Sequence, residues 1–283
     1  MNKRIFFTAP LMALGFLMLT SCDPSHDNES PISAVSSEQL TNELQITAKS
    51  EGNNNLTVFT SPTRYIKVYD STTGAMMGSG TLVKIQIAPP QTEASYYVTT
   101  AAMDGTTSVK SGVKSISISE YTDLPAIYST IFGDGNGGYT SHTWVWDTEA
   151  SDGVWGNGGY LENTGPGWWV VSAAEIDAQA EGKNLPDDGL NGWMSLALTG
   201  VKTSRGESGQ VKVSEETVKA GWDIGRMVFS GTTPLMGIQP NVGGNQYDYH
   251  ILKADDKNLR LCAPEPGAGD WGTAWFWNFK RKD

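Results

Sequence analysis

The chain holds ten tryptophans in 283 residues, all at or beyond Trp144, and four of them sit among glycines rather than in apolar runs. Trp155 lies in Gly153-Val-Trp-Gly-Asn-Gly-Gly-Tyr160, Trp168-Trp169 follow Gly165-Pro-Gly167, and Trp271 stands in Asp270-Trp-Gly272. An indole on a stiff, glycine-flanked loop offers a flat apolar face that a strand cannot always cover. Pyranose rings present the matching surface, with C–H bonds along one side. Stacking them on an indole releases water, and the ring quadrupole favours the slightly positive C–H edges. Hydroxyls around such a sugar need polar partners, and Asn157, Glu162, Asn163, Asp187, Asp188 and Asn191 are close in sequence. Trp155, Tyr160, Trp168, Trp169 and Trp271 are therefore the candidate carbohydrate-binding residues. The competing reading makes Trp168 and Trp169 plugs that close one end of a β-structure. Trp144, Trp146, Trp275 and Trp277 alternate at strand period and are expected to be core.

Hydrolysis would need paired carboxylates. Glu175-Ile-Asp-Ala-Gln-Ala-Glu181 approaches the Glu-x-Asp-x-Glu strand of retaining glycosidases, whose acid and nucleophile stand about 5–5.5 Å apart. Its last glutamate comes two residues late, which on a strand would carry Glu181 about 13 Å past Asp177. The alanines also favour helix, so Glu175, Asp177 and Glu181 are read as a near miss, and no catalytic residue is assigned. His26, His142 and His250 have neither metal-ligand spacing nor a Gly-x-Ser-x-Gly partner, so no metal residue is assigned. Asp134-Gly-Asn-Gly-Gly138 starts like a calcium loop but lacks the later ligands and reads as a turn. Cys22 and Cys262 are the only thiols, and Cys262 reads as a small buried hydrophobe beside Leu261.

The N-terminus explains Cys22. Lys3 and Arg4 precede an apolar run from Ile5 to Leu19, then Leu19-Thr-Ser-Cys22: a leader over residues 1–21 too short to span a membrane. Its end resembles the lipobox of bacterial lipoproteins, which implies lipidation at Cys22. Several acyl chains at about 0.8 kcal/mol per buried CH₂ give a lasting anchor. Residues 22–39 are polar, acidic and aperiodic, and are expected to form a flexible tether.

The net charge is −11, and −13 without the leader, which removes two of the 20 basic residues and none of the 31 acidic ones. That balance argues against binding nucleic acid. Glycine enrichment beyond Gly133 and the tryptophan step divide the remainder near Tyr121-Thr-Asp-Leu-Pro-Ala126. In the first part, 40–120, Leu44/Ile46/Ala48, Val83/Ile85/Ile87 and Ile116/Ile118 alternate with polar neighbours and predict an Ig-like β-sandwich. In the second part, 126–283, Trp144/Trp146, Met194/Leu196/Leu198, Val211/Val213, Met227/Phe229, Tyr247/Tyr249/Ile251, Leu259/Leu261 and Trp275/Trp277/Phe279 do the same. Those runs predict a second, jelly-roll-type sandwich and hence an all-β protein. Short helices are expected at Ser214–Ala220 and Glu175–Glu181.

Tyr97-Val-Thr-Thr-Ala-Ala-Met-Asp-Gly105 with the strand to Ser119 resembles a PKD-like domain, although the Trp-Asp-Phe-Gly-Asp-Gly turn of that family is absent. Thr143-Trp-Val-Trp-Asp147, the Gly-Asn-Gly-Gly-Tyr160 loop, Gly167-Trp-Trp169, Tyr249-His-Ile-Leu-Lys253 and Trp275-Phe-Trp-Asn-Phe-Lys280 resemble surface glycan-binding lipoproteins of gut-bacterial polysaccharide-utilisation systems. That resemblance implies a PKD-like spacer, a jelly-roll carbohydrate-binding domain, and a lipid-anchored place on the outer membrane. It also implies non-catalytic capture of polysaccharide beside an outer-membrane importer. No cofactor is implied, although jelly-roll binding domains of this kind often hold a structural Ca²⁺. A glycoside hydrolase on the same fold and a structural or adhesive surface protein are the alternatives.

Overall fold

The computed structural model describes residues 35–101 and 108–282, so the leader and Cys22 lie outside the described residues. Two apolar cores organise the chain. The first begins earlier than a tether ending at residue 39 would allow. Val35 and Leu40 are buried, and α1 (Ser37–Glu43) is capped by Ser36, whose Oγ accepts from Gln39 N at 3.0 Å. Eight strands follow: β1 (Leu44–Ala48), β2 (Asn55–Thr60), β3 (Ile66–Asp70), β4 (Met76–Gly80), β5 (Leu82–Gln86), β6 (Glu93–Ala101), β7 (Ser108–Lys110) and β8 (Lys114–Ser117). One sheet has the order β1-β2-β5; the other runs β4-β3-β6-β7, with β8 also on β6. Each strand turns alternate residues inward. On β6 these are Ala94, Tyr96, Val98 and Thr100, the first three of which join Leu56, Val58 and Val83 from the opposite sheet in one core.

The second core is built differently from a jelly roll. After α2 (Ala126–Phe132) come β9 (His142–Trp146), β10 (Trp155–Gly159), β11 (Trp169–Val171), α3 (Ile176–Gly182) and β12 (Trp193–Ala197). The chain then continues through β13 (Gly200–Thr203), β14 (Ser208–Ser214), β15 (Gly225–Ser230), β16 (Asp248–Ala254), β17 (Asn258–Pro264) and β18 (Thr273–Arg281). From β12 to β18 every strand pairs antiparallel with its successor, and β9 pairs with both β12 and β18. The result is a closed eight-stranded barrel rather than two stacked sheets. Several strands are joined by turns only a few residues long, so each pairs with its chain neighbour, and no long crossing of the Greek-key kind arises.

β18 is nine residues long and serves two partners along one edge. Phe279–Arg281 pair with β9, whereas Thr273–Trp277 pair with β10, which carries β11 on its other side. The Ser214–Ala220 segment is not a helix. It leaves β14, and the main-chain N–H groups of Val218 and Lys219 donate to the Asp223 carboxylate. The helix expected over Glu175–Glu181 forms as α3, with Glu175 at its N-cap.

The barrel interior is filled by side chains, as expected at this strand number. Trp146 stacks on Phe279 with centroids 5.0 Å apart, and Tyr249 meets Trp277 edge-on at 5.0 Å. One end is closed by α2. Its Ile127, Tyr128, Ile131 and Phe132 are buried, and the Tyr128 hydroxyl donates to Val213 O at 2.6 Å. Leu124 and Leu198 touch both cores, so the first sandwich abuts this end.

At the opposite end residues 231–247 fold inward, burying Leu235 and Met236. They are held by Asp188, which is fully buried in the 3₁₀ turn Pro186–Asp188. Its carboxylate accepts from Met236 N at 2.7 Å and from Arg205 Nη1 at 2.6 Å. Arg205 also donates to Thr233 O and to the Thr232 and Thr233 hydroxyls. Removing one partner of a buried ion pair leaves an uncompensated charge. Arg205→Met is therefore expected to destabilise the barrel by about 3–5 kcal/mol, measured by urea denaturation. A loss below about 1 kcal/mol would mean that the pair behaves as a surface contact.

Candidate functional site

The strand register fixes which end of the barrel carries the loop tryptophans. Arg281 pairs with Trp144 and Leu196 with His142, which puts Leu198 and the first sandwich at one end. Thr273 pairs with Gly159 at the other. The β10–β11 connection, residues 231–247 and the β17–β18 connection all lie at that far end. Three indoles are open to solvent there: Trp168 at 52%, Trp169 at 38% and Trp271 at 59% exposure. Trp155 is not among them. It is completely buried, stacked on Trp275 with centroids 5.0 Å apart, and belongs to the core. Its glycine neighbours suggest a loop, but β18 and β11 flank it and make the segment a strand.

Backbone geometry holds the exposed indoles. The main-chain oxygen of Asn157 accepts from Gly167 N at 2.9 Å and Trp168 N at 3.0 Å, and its Oδ1 accepts from Trp169 N at 3.1 Å. A side chain on Gly156 would place its Cβ 2.1 Å from Trp169 O, so only glycine lets the β10–β11 ribbon close. The Trp169 ring stands edge-on to Trp155 at 5.5 Å and to Trp275 at 5.9 Å, a base of two buried indoles under one half-open one. Trp271 adopts a left-handed φ of 61°, and its N–H donates to Tyr160 O at 3.1 Å. Its ring rests on Gly159, where a Cβ would come within 2.7 Å of Cε3. Trp169 faces Asn157 across the ribbon, and Asn157 is two residues, about 7 Å, along the strand from Gly159. The Trp169 and Trp271 rings therefore flank one short stretch of glycine-rich backbone.

Tyr160 contributes to this shelf by position rather than by its ring. Its amide donates to Gly272 O at 2.7 Å, while its side chain turns to a separate apolar cluster of Trp222, Cys262, Ala274 and Phe276. There it meets Trp222 edge-on at 5.4 Å, and its hydroxyl lies 3.1 Å from His250 Nε2. His250 Nδ1 lies 3.0 Å from the Asp223 carboxylate. Cys262 is buried as expected, and burial pushes its thiol well above the usual range.

Among the polar candidates, Asn157 and Asn163 brace the ribbon, with Asn163 Oδ1 accepting from Gly159 N at 2.6 Å. Asp188 is consumed by the internal ion pair, and Glu162 by Lys219 at 3.0 Å. Sequence reasoning missed Glu265, whose Oε1 accepts from Trp275 Nε1 at 3.1 Å and from Asn241 Nδ2 at 2.6 Å. It stands half-buried beside the Trp275 base of the shelf. No pattern singles it out, because its neighbours in space come from β18 and the 231–247 connection, both distant from it or unmarked in sequence.

The three carboxylates weighed for hydrolysis ride on or beside α3, exposed to solvent. Glu175 accepts from Ser172 N and Oγ, which lowers its pKa, and Asp177 accepts from Leu190 N. The strand that would align them is not formed. Asp134 makes a turn, accepting from Asn136 and Gly138 amides. Among the described residues no group of His, Cys, Asp or Glu is arranged to hold a metal ion, and no helix is long and apolar enough to cross a membrane. No family model and no curated protein matches the chain.

Desolvation holds His250 below its ordinary pKa of 6.5, outweighing the Asp223 hydrogen bond that favours its charge. The folded protein therefore binds fewer protons at this site than the unfolded chain. The resulting stability is complete above the unfolded value of 6.5 and is lost as pH falls through the lowered folded value. Thermal melts between about pH 8 and pH 5 should show Tm falling below pH 6.5 in the parent, and a flatter profile in His250→Gln. Carboxylates such as Asp70 and Glu207, whose pKa values are lowered by hydrogen bonds, lose their contribution only in more acid solution.

Proposed function

We propose that this is a surface lipoprotein that captures polysaccharide without cleaving it, the sugar lying on Trp168, Trp169 and Trp271. One observation carries the reading. Three indoles are left open at one end of a barrel whose other seven tryptophans are buried or half-buried. An exposed indole forfeits the apolar burial it would gain in a core, and three at one end invite a flat apolar partner. The leader and Cys22 supply the anchor, and the first sandwich acts as a PKD-like spacer. Because that sandwich abuts the α2 end, the open indoles face away from it. Delivery to an outer-membrane importer follows from the family resemblance alone. The α3 carboxylates lend hydrolysis no support.

A second reading has its own observation. β11 is the edge of its sheet, with Trp169 and Val170 exposed on it and Trp168 exposed just before it, which suits addition of a strand from a protein partner. Val170→Lys separates the two, since it should abolish strand addition and leave sugar stacking intact.

Affinity electrophoresis against plant and host glycans tests the main proposal. Trp168→Ala, Trp169→Ala and Trp271→Ala should each remain folded by circular dichroism and weaken retention about tenfold, the equivalent of 1.4 kcal/mol per lost stacking contact. If all three folded variants are retained like the parent, the sugar does not lie on these indoles.

A further inference from the structure

We propose that the polymer held on this shelf is uncharged, and that polysaccharides bearing carboxylates or sulfates are turned away; this rests on the glycan-binding reading above. The β13–β14 turn, with Arg205 and Glu207, lies at the far end of the barrel beside three longer segments: 155–171, 231–247 and 265–272. None of these three segments contains a lysine or arginine, and their only charged residues are Glu162, Glu265 and Asp270. Among the described residues, three cations hydrogen-bond to these segments, and each also holds a carboxylate. Lys219 reaches Leu161 O and Glu162, Arg260 reaches Thr164 O and Asp152, and Arg205 reaches Thr233 O and Asp188. The nearby Lys183 lies over the ring of buried Trp155, 5.5 Å from its centroid, rather than over an exposed indole.

The consequence for a ligand is electrostatic. Asp270 is the exposed neighbour of Trp271, about 3.8 Å away along the backbone. A sugar stacked on Trp271 is therefore separated from this carboxylate by a distance comparable with the Debye length of about 8 Å at physiological salt. A uronate or sulfate there would meet the like charge of Asp270, while Lys183, the nearby cation with no carboxylate in contact among the described residues, lies over Trp155. A neutral pyranose brings hydroxyl donors instead, which a carboxylate accepts well. Glu265 already acts as an acceptor beside the shelf, toward Trp275 and Asn241.

The test is affinity electrophoresis and calorimetry of the purified chain with neutral polymers (xyloglucan, galactomannan, mixed-linkage glucan, starch) and with polygalacturonate, alginate and chondroitin sulfate. Each is run in about 20 mM and about 0.5 M salt. The expected result is binding to a neutral polymer that changes less than about twofold with salt, and no retention by the polyanions in low salt. Asp270→Lys should gain polygalacturonate affinity at low salt, a gain lost again in about 0.5 M salt. A parent that binds a polyanion as tightly as any neutral polymer, and loses it in Trp169→Ala, overturns the charge inference and leaves the aromatic shelf standing. An Asp270→Lys protein that gains nothing also overturns it. If no polymer binds at all, the glycan-binding reading falls and takes this inference with it.

Discussion

The second domain depends on one strand having more edge than a single partner can cover. β18 gives its last residues to β9, which closes the barrel, and its first five to β10, which does not belong to the closed ring. Had β9 continued along the whole of β18, no ribbon would flare from the far end. The chain instead leaves β9 at Trp146, makes an excursion through residues 147–154, and returns to β18 at Trp155. Arg260 and Asn278 hold that excursion through the Asp152 carboxylate, at 3.0 and 3.1 Å. The opposite end follows the ordinary logic of a small barrel, in which α2 and the neighbouring sandwich supply the apolar cover. The asymmetry between the ends thus comes from strand pairing, and the exposed indoles follow from it.

The buried tryptophans are not treated alike: the Nε1–H groups of Trp144 and Trp155 have no hydrogen-bond partner among the described residues, whereas other buried indoles donate inward. Trp146 donates to Asp188 O and Trp277 to Met236 O, so these indoles enter the core with their polar edge satisfied. Trp222 does the same toward Asn163 O in the outer cluster. The exposed three are fixed through their backbones instead, by Asn157 and Tyr160. Such indoles surrender little freedom when something stacks on them, because most of their ordering was completed on folding.

Much of the strand inventory was legible in the sequence, because period-two alternation records which face is buried. Trp275, Trp277 and Phe279, or Val211 and Val213, need no structure to be placed. Alternation does not record which strand lies alongside, and for that reason a closed meander and a jelly roll read alike until the pairing is seen. β10 escaped notice for another reason. Trp-Gly-Asn-Gly-Gly has one large apolar side chain and three glycines, so its extended form comes from β11 and β18 rather than from propensity. That also explains why Trp155 passed for a loop residue. α2 did carry a signal: Ile127, Tyr128, Ile131 and Phe132 recur at helical spacing after Leu124-Pro125. Tyr160 touches the shelf with its main chain, while its ring packs in the outer cluster.

A shelf of this size sets the terms on which the proposed capture could work. Two or three stacked sugar rings offer a small apolar area, and translational and orientational losses on association consume several kcal/mol. Single encounters would then be weak and short-lived. Weakness is tolerable for a protein anchored in many copies, since a long polymer bridging neighbours converts later contacts into intramolecular ones. It also suits a molecule that must pass its ligand on, because release from one shelf is fast while the polymer stays near the surface. Rigidity in the ribbon and multiplicity on the membrane would therefore divide the work: the first keeps each contact from being weaker still, and the second holds the chain.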